Sequence, residues 1–243
     1  IPNSVTHIGY QAFYFCNYLR SVTIGTGITD IGSGAFINCR VLSMVTMLKE
    51  SPENIEAEIT KVFGGQTRYI MLCVPAGCKE AYAANANWGT LNIAEIDNNK
   101  LYGVCSDEIK WTVNLETKTL TLSGDGNLYD APWQTLETYI DNIVVDDKTC
   151  ILLSQDYFTL TGWYNSQPDG LLYIGKSLMG IKGESSATII DIKEGTTTIA
   201  PDAFNRNATV KEVNAPSTLK HIGTKAFYRC GSLMSIDIDN VET

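Results

Sequence analysis

The sequence predicts a repeat solenoid, mainly β with short helical or irregular turns, because two stretches of the chain each contain two successive copies of one pattern. Residues 1–23 align with residues 24–46, and residues 192–214 align with residues 215–237. Isoleucine occupies one repeat position in every copy: Ile8, Ile31, Ile199 and Ile222. Phenylalanine occupies another: Phe13, Phe36, Phe204 and Phe227. Fixed apolar positions are typical of stacked coils, in which each coil buries its side chains against the next.

Each copy contains one segment that favours a strand and one position that favours a bend. Residues 19–24 alternate apolar and polar side chains and are rich in β-branched residues, which suits a half-buried strand. Glycine at the bend position of the first, second and fourth copies, Gly9, Gly32 and Gly223, predicts a backbone with positive φ, and Ala200 takes that place in the third copy. Stacking then gives a parallel sheet on one wall and the Ala-Phe segments on the opposite wall.

The outward positions of the predicted strands form the candidate binding surface. These side chains are mostly small and polar, which suits an extended protein or glycan partner better than a small molecule: Ser21, Thr23, Met44, Thr46, Glu212, Asn214, Ser235 and Asp237. A second candidate is the aromatic pair Trp163 and Tyr164. We expect this pair to pack in a hairpin, and if it is exposed it becomes a sugar or protein contact.

The segments between the clean copies predict further elements. Residues 51–62 read as a helix with Ser51 as N-cap and Gly64 beyond its end, and a second helix is expected near residues 79–85. The rest of this region is assigned as a linker at residues 96–100, a hairpin of residues 109–113 and 119–123, and a degenerate coil near residues 143–158. The predicted regions are an array with a helical closing segment in residues 1–96, a small β-rich module in residues 97–139, and a second array in residues 140–243 with an inserted hairpin near residues 161–185.

Several phrases of the sequence resemble the BspA-like leucine-rich repeats, also called the Treponema pallidum type. They are I-P-N-S-V-T at residues 1–6, Ile8-Gly9, Ala12-Phe13 and the Cys16 that follows. Residues 74–88 resemble the segment that ends such arrays, residues 163–173 resemble a hairpin inserted between coils, and residues 103–124 resemble the β-rich module that opens an array. The resemblance is specific for the fold and weak for the function, because one scaffold supports many ligands.

The resemblance implies a bacterial cell-surface or secreted protein, with adhesion to protein or glycan ligands on host or neighbouring cells. The alternative is a structural stalk or accessory domain of a larger secreted protein, and a secreted hydrolase is a third, weaker hypothesis. We also expect end-to-end self-association through uncapped coils, because no closing segment follows Val241.

Composition excludes several classes of function. A net charge of −9 disfavours nucleic acid as a partner, because binding to a phosphate backbone depends on Lys and Arg. The sequence has no apolar run of about 18 residues, so no transmembrane segment is expected. With two histidines and no C-x-x-C motif, neither a zinc site nor any other cofactor is predicted.

The cysteines do not predict a disulfide framework. Seven cysteines leave at least one unpaired. Cys16, Cys39 and Cys230 share one repeat position, and we expect them to act as small buried hydrophobic side chains. Cys73 and Cys78 are close in sequence and would pair only if the chain turns back between them.

No motif supports catalysis. Residues 170–177 fit the phosphate-loop pattern G-x-x-x-x-G-K-[ST], but Leu171 to Ile174 read as a strand and no helix signal follows. His7 and His221 share a repeat position that varies between copies, so surface exposure is expected and no triad partner is evident. No spacing selects a pair among the 27 acidic residues as a glycosidase pair. Two acidic pairs lack the calcium-loop template and are expected to be solvated turns: Asp146 with Asp147, and Asp237 with Asp239.

Overall fold

The computed structural model describes residues 1–238, with the backbone alone described for Asp107, so Asp239 and Val241 lie outside the described residues. The chain divides into two compact units. Unit 1 contains residues 1–103 and 113–116, and unit 2 contains residues 104–112 and 117–243. Both units are mainly β with a few short helices, as the repeat pattern predicts. The three-region division expected from the sequence stays a prediction.

Unit 1 is built from short strands joined by turns. Its strands are β1 (His7–Ile8), β2 (Ser21–Ile24), β3 (Asp30–Ile31), β4 (Met44–Met47), β5 (Met71–Pro75), β6 (Asn92–Asp97) and β7 (Lys100–Val104), of which Val104 belongs to unit 2. Its α-helices are α1 (Ile59–Phe63) and α2 (Lys79–Ala83), and its 3-10 helices are Gly64–Tyr69 and Trp88–Thr90. Strand β8 (Lys110–Asn114) has residues in both units.

The repeat period is visible in the backbone pairing. Strand β1 pairs in parallel with β3 so that His7 lies opposite Asp30, and β2 pairs in parallel with β4 so that Ser21 lies opposite Met44. In both pairs the partners occupy the same position of successive copies. Strands β4, β5 and β6 continue the parallel pairing. The alternating pattern of residues 21–24 therefore forms the half-buried strand that it predicts, with Val22 and Ile24 facing the core.

The helix predicted over residues 51–62 is wrong in its first half, because this segment belongs to a third coil. The amide of Ile31 donates to the carbonyl of Glu56, and the amide of Glu56 donates to Thr29, so the segment extends the ladder of β1 and β3. Helix α1 therefore begins only at Ile59 and ends at Phe63, with Gly64 as its C-cap, as the glycine predicts. The next strand pairs Met71 with Met44, a step longer than one copy of the repeat, which hides this coil from a search at the repeat period.

A column of phenylalanine rings joins the coils of each unit. Phe13 and Phe36 stack with their centroids 5.0 Å apart, and Phe36 and Phe63 stack at 5.5 Å. In unit 2, Phe204 and Phe227 stack at 5.1 Å. Removing a fully buried ring of this kind typically costs about 3–5 kcal/mol of stability. The column explains why the Ala-Phe phrase recurs.

The bend glycines are needed for close backbone approach and not for positive φ. Gly9, Gly32 and Gly223 all lack a positive φ, so the expected left-handed bend is wrong. A Cβ on Gly32 would lie 2.7 Å from the backbone nitrogen of Tyr10, and one on Gly223 would overlap the nitrogen of Pro201 in the preceding coil. Ala200 makes the hydrogen bond equivalent to those of Gly32 and Gly223, from its amide to the carbonyl of Leu178, but Leu178 lies outside the clean copies.

Positive φ occurs instead at two other positions in each of the four clean copies. The first position contains Gln11, Gly34, Asp202 and Lys225, and the second contains Phe15, Asn38, Arg206 and Arg229. In the first coil, alternate amides donate to the next coil, from residue 11 to the carbonyl of Ser33 and from Phe13 to Ala35. In this coil the inter-coil hydrogen bonds offset the cost of about 1–2 kcal/mol for each left-handed residue with a Cβ.

The cysteine at the repeated position forms a hydrogen bond through its thiol in two of the copies. The thiol of Cys39 donates to the carbonyl of Phe13 at 3.1 Å, and that of Cys230 donates to Phe204 at 2.9 Å. Cys16 is exposed, so the expectation of a buried residue is wrong at this position. Cys73 and Cys78 do not pair, and all seven cysteines are free thiols.

The linker expected at residues 96–100 is instead a tight hairpin turn. Asn98 and Asn99 have φ of 46° and 60°, and strands β6 and β7 pair in antiparallel fashion on either side of them. Asparagine tolerates this left-handed conformation, which two-residue hairpins require at both central positions. The second helix expected near residues 79–85 is confirmed as α2.

Unit 2 contains the remaining strands. They are β9 (Thr119–Ser123), β10 (Gly126–Leu128), β11 (Asn142–Val145), β12 (Thr149–Ile151), β13 (Gly170–Ile174), β14 (Ser177–Lys182), β15 (Ile189–Asp191), β16 (Thr198–Ile199), β17 (Glu212–Asn214), β18 (His221–Ile222) and β19 (Ser235–Asp237). Helix α3 spans Gly162–Ser166, and the 3-10 helices are Ser106–Glu108, Gln134–Tyr139 and Gln155–Phe158.

The same repeat step also occurs where the sequence repeat is not evident. Strand β9 pairs in parallel with β11 so that Thr119 lies opposite Asn142, and β10 pairs with β12 so that Gly126 lies opposite Thr149. Both pairs have the sequence separation that relates His7 to Asp30 in unit 1. The degenerate coil predicted near residues 143–158 is therefore present, and it stacks on another coil that the sequence pattern assigned to a separate module.

The inserted hairpin is confirmed. Strands β13 and β14 pair in antiparallel fashion, and Gly175 between them has φ of 57°. Residues 170–177 thus form a hairpin, which is incompatible with a phosphate loop that must lead into a helix. Lys182, at the end of β14, donates to the carbonyls of Tyr164, Asn165 and Gln167 and holds α3 against the hairpin.

The bend glycine gives a direct test of the stacking constraint. We expect Gly32→Ala to lower the free energy of unfolding by about 1–3 kcal/mol, since its methyl group would meet backbone that cannot move aside. Gly9→Ala is the matched control, because no atom lies within 4 Å of a Cβ at that equivalent position. Urea unfolding of the two variants measures the difference, and equal losses in both would contradict the explanation.

Candidate binding surfaces

The strand surface predicted in unit 1 is only partly exposed. Ser21 and Thr23 on β2 are exposed, and Met44 on β4 is half-buried. Thr46 is buried, with 7% of its surface exposed, so its assignment to the surface is wrong. The cause is the neighbouring strand β5, which is buried on both faces and whose Cys73 lies opposite Thr46. Burial raises the pKa of the Cys73 thiol to about 12, and a hydrogen bond with Thr46 opposes the shift.

The strand surface predicted in unit 2 is more open. Asn214, Ser235 and Asp237 are exposed and Glu212 is half-buried. Strands β15, β17 and β19 pair in parallel, so these side chains form rows across the strands. The Asn214 amide donates to the Asp191 carboxylate at 2.7 Å, which means that part of this surface satisfies its own hydrogen bonds.

The aromatic pair Trp163 and Tyr164 packs at the hairpin, and both side chains are half-buried. Trp163 meets the ring of Phe158 edge-on, with centroids 6.4 Å apart. The Lys182 ammonium lies 5.1 Å from the centroid of the Tyr164 ring. Both rings are therefore engaged in contacts within unit 2.

A different surface of unit 1 carries exposed aromatic and guanidinium groups. It follows the turns of three consecutive coils, and we call it the turn ridge. Its residues are Tyr14, Phe15, Tyr18, Arg40, Val41, Arg68 and Tyr69. Of the aromatic side chains, Tyr18 is 95% exposed, Tyr69 is 55% exposed and Phe15 is 50% exposed.

Contacts between the coils make the turn ridge continuous. The Arg40 guanidinium lies 5.9 Å from the centroid of the Phe15 ring, and the Asn38 amide donates to the Tyr14 hydroxyl at 3.2 Å. In the third coil, the Arg68 guanidinium lies 4.6 Å from the centroid of the Tyr69 ring. The Gln66 amide joins the third coil to the second by donating to the carbonyl of Cys39.

The turn ridge is free of acidic residues although the chain has a net charge of −9. Residues 10–29, 31–49 and 59–79 contain no Asp or Glu, and they contain Arg20, Arg40 and Arg68. The acidic residues of this region are Asp30, Glu50, Glu53, Glu56 and Glu58. Three of them, Asp30, Glu56 and Glu58, line a separate groove of about 390 Å³.

The turn ridge was not predicted from the sequence. The signal was available, because the first copy has tyrosine or phenylalanine at positions where the second copy has Asn38 and Val41. These positions lie outside the repeated apolar ladder, so an aromatic residue there has no core to fill. The local absence of acidic residues was a second signal, hidden by the negative charge of the whole chain.

The acidic, histidine and cysteine side chains are the groups from which a catalytic or metal centre could be built. In residues 1–238, no group of three or more His, Cys, Asp or Glu side chains is arranged to hold a metal ion. Asp146 stabilises a turn, because its carboxylate accepts hydrogen bonds from the amides of Gly124, Lys148 and Thr149. These hydrogen bonds lower the pKa of Asp146. His7 is exposed and His221 is half-buried, while Thr198 at the same repeat position is buried.

Glu137 is a buried carboxyl group in unit 2. It is 7% exposed, lies in the 3-10 helix Gln134–Tyr139, and its Oε2 atom has no hydrogen-bond partner in the described structure. Burial raises its pKa above the ordinary value, although hydrogen bonds from the Leu160 amide and the Gln134 side chain oppose the shift. An isolated buried carboxyl group of this kind affects stability, and no second acid lies in the same helix.

The family described as BspA type leucine rich repeat region matches six copies in this chain, in residues 1–103 and 181–243. The chain belongs to this BspA-type family. The resemblance inferred from the sequence phrases is thereby confirmed. The matched residues include both pairs of clean copies and the turn ridge, but not the two coils around β9 and β11.

Two solved structures similar to this BspA-type chain share little sequence with it. A leucine-rich cell surface protein from Faecalibacterium prausnitzii A2-165 is 14% identical, with a TM-score of 0.25, and the match covers 98% of this chain and 70% of that protein. The pneumococcal vaccine antigen PcpA is 16% identical, with a TM-score of 0.32, and the match covers 96% of this chain and 56% of the antigen. No curated protein matches the sequence. Within the described residues, no helix has the length and apolarity needed to cross a membrane.

Because burial raises the pKa of Glu137, we expect the free energy of unfolding of the BspA-type chain to depend on pH. Because its pKa is raised on folding, the folded state binds more protons than the unfolded state above the ordinary value of 4.5, so its contribution to stability is lost as pH rises. We expect Glu137→Gln to be more stable than the native chain at pH 8, with a smaller difference at pH 4.5. Urea unfolding at both values measures this. Glu194→Gln, at an exposed site, controls for the loss of one charge, and a pH-independent difference for Glu137→Gln would contradict the prediction.

Proposed function

We propose that this chain is a non-enzymatic cell-surface or secreted protein whose coils form a solenoid and mediate adhesion by binding protein or glycan ligands. The observation that carries the proposal is the turn ridge, where aromatic and arginine side chains project from three adjacent coils. Tyrosine and arginine are enriched among the residues that dominate binding energies. The surface or secreted location rests on the family resemblance.

The shape of the exposed surfaces favours an extended partner. Side chains on the turn ridge recur from coil to coil at the spacing of stacked strands, about 4.8 Å. A ligand that lies across several coils would therefore meet several weak contacts in series. The open strand surface of unit 2, with Asn214, Ser235 and Asp237, offers a second surface of the same extended kind.

A structural stalk is the second candidate, and one observation favours it. Side chains of one coil stabilise the next coil, by ring stacking in the phenylalanine columns and by the hydrogen bond from Asn214 to Asp191. In a stalk, the exposed side chains would have no partner to select. Self-association of the end coils stays a prediction, which sedimentation of the chain at increasing concentration would test.

Binding assays separate these functions. We expect saturable binding of the chain to at least one member of a panel of immobilised matrix proteins and glycans. Tyr18→Ala with Tyr69→Ala should weaken that binding about tenfold or more, since loss of about 1.4 kcal/mol is a tenfold change. Ser21→Arg with Thr23→Arg, which crowds the strand surface, is the matched comparison.

The outcomes discriminate clearly. Loss of binding only in the strand variant would move the site to the strand surface. Absence of saturable binding to the whole panel would favour the stalk. Melting temperatures of both variants, compared with the native chain, would establish that the fold is retained.

A further inference from the structure

We propose that the turn ridge binds an anionic polysaccharide, a chain of sugars that carry carboxylate or sulfate groups. This inference rests on the proposed binding function and assigns its ligand class. Three features of unit 1 carry it: a local excess of positive charge, guanidinium groups without carboxylate partners, and exposed aromatic side chains in the same turns.

The charge distribution selects an anionic partner. Acidic side chains are absent from residues 10–29, 31–49 and 59–79, which supply every residue of the turn ridge. The chain has a net charge of −9, so its carboxylate-bearing surfaces would repel a polyanion and direct it to places without carboxylates. Negative charge elsewhere therefore adds specificity.

Two arginines of the turn ridge are exposed and contact aromatic rings, which favours binding of an anionic ligand. Arg40 and Arg68 are exposed and lie over the rings of Phe15 and Tyr69. In the described residues the ion pairs involve Lys61, Lys118 and Lys176, and neither Arg40 nor Arg68 contacts a carboxylate. Contact with a ring restricts the guanidinium while its N–H edge stays free, and that edge binds carboxylate or sulfate oxygens in bidentate geometry.

The aromatic residues favour a sugar polymer over an acidic polypeptide. The apolar C–H face of a pyranose ring packs on an aromatic ring, and Tyr18 presents such a ring at 95% exposure. The three coils place successive contacts about 4.8 Å apart, close to the length of one sugar residue in a polymer. An acidic peptide would use the guanidinium groups but would have no comparable use for the exposed rings.

The experiment measures binding of the full chain to four polymers. Polygalacturonate and heparin supply sugars with carboxylate or sulfate groups, dextran supplies neutral sugars, and polyglutamate supplies carboxylates without sugars. We expect saturable binding to polygalacturonate or heparin, weaker binding to polyglutamate and none to dextran. The interaction should weaken steeply at about 1 M NaCl, where the Debye length falls to about 3 Å.

Two variants test the surface. Arg40→Gln with Arg68→Gln should reduce affinity for the bound anionic polysaccharide at least tenfold. Arg229→Gln in unit 2 is the matched control, because Arg229 also lies over a tyrosine ring, that of Tyr228 at 5.2 Å, and should leave binding unchanged. Tyr18→Ala should weaken binding to the polysaccharide and leave binding to polyglutamate unchanged. Its side chain is almost fully exposed, so folding should not be affected.

Specific results would overturn the inference. Equal binding to polyglutamate and to the polysaccharides would assign the ridge to an acidic protein surface. Equal losses in the Arg40/Arg68 and Arg229 variants would indicate charge attraction without a site. Failure to bind any of the four polymers, together with saturable binding to a matrix protein, would reject this ligand and leave the proposed adhesion function standing.

Discussion

Backbone-to-backbone approach between consecutive coils is the constraint on which this structure depends. The Ile8 carbonyl accepts the Gly32 amide, and a Cβ on Gly32 would overlap the backbone of residues 9 and 10. Once the coils lie this close, alternate turn amides reach the carbonyls of the next coil, and the phenylalanine rings of Phe13 and Phe36 stack 5.0 Å apart. The ladder residues are thus a consequence of the spacing as well as a source of stability. A coil without a neighbour would have neither the inter-coil hydrogen bonds nor the ring stacking, which is why such repeats are stable only as arrays.

Much of the fold could be predicted from the sequence, because apolar side chains in columns must repeat in type. Ile8 and Phe13 recur for this reason, and the strand Ser21–Ile24 follows from simple alternation. The coil ending at β5 could not be predicted from the period, because the step from β4 to β5 is longer than one copy and accommodates extra residues in the loop after β4. The left-handed turn positions were equally hidden. Gln11 adopts positive φ although its residue type does not favour that conformation by itself, and its amide donates to the carbonyl of Ser33 in the next coil.

The binding surfaces could also be predicted only in part from the sequence. Alternation correctly assigns Ser21 and Thr23 to the exposed side of β2, but exposure also depends on what lies beside a strand, and Thr46 is buried next to β5. The turn ridge depends on irregular turns, where no simple period describes the direction of a side chain. Arg40 and Phe15 belong to different coils, and only the stacking of those coils brings a guanidinium over a ring. Surface chemistry in such a protein is a property of neighbouring coils and not of one repeat.

The turn amides that bind between coils have an evolutionary consequence. In three of the four clean copies the amide at the first left-handed turn position donates to the next coil, and the side chain there is glutamine, glycine, aspartate or lysine. A mutation there can alter charge or size while the scaffold stays intact. Gene duplication can then supply a new coil whose surface diverges independently of its parent. A protein of this kind can therefore acquire new binding properties by mutations in one turn at a time, while its fold is retained.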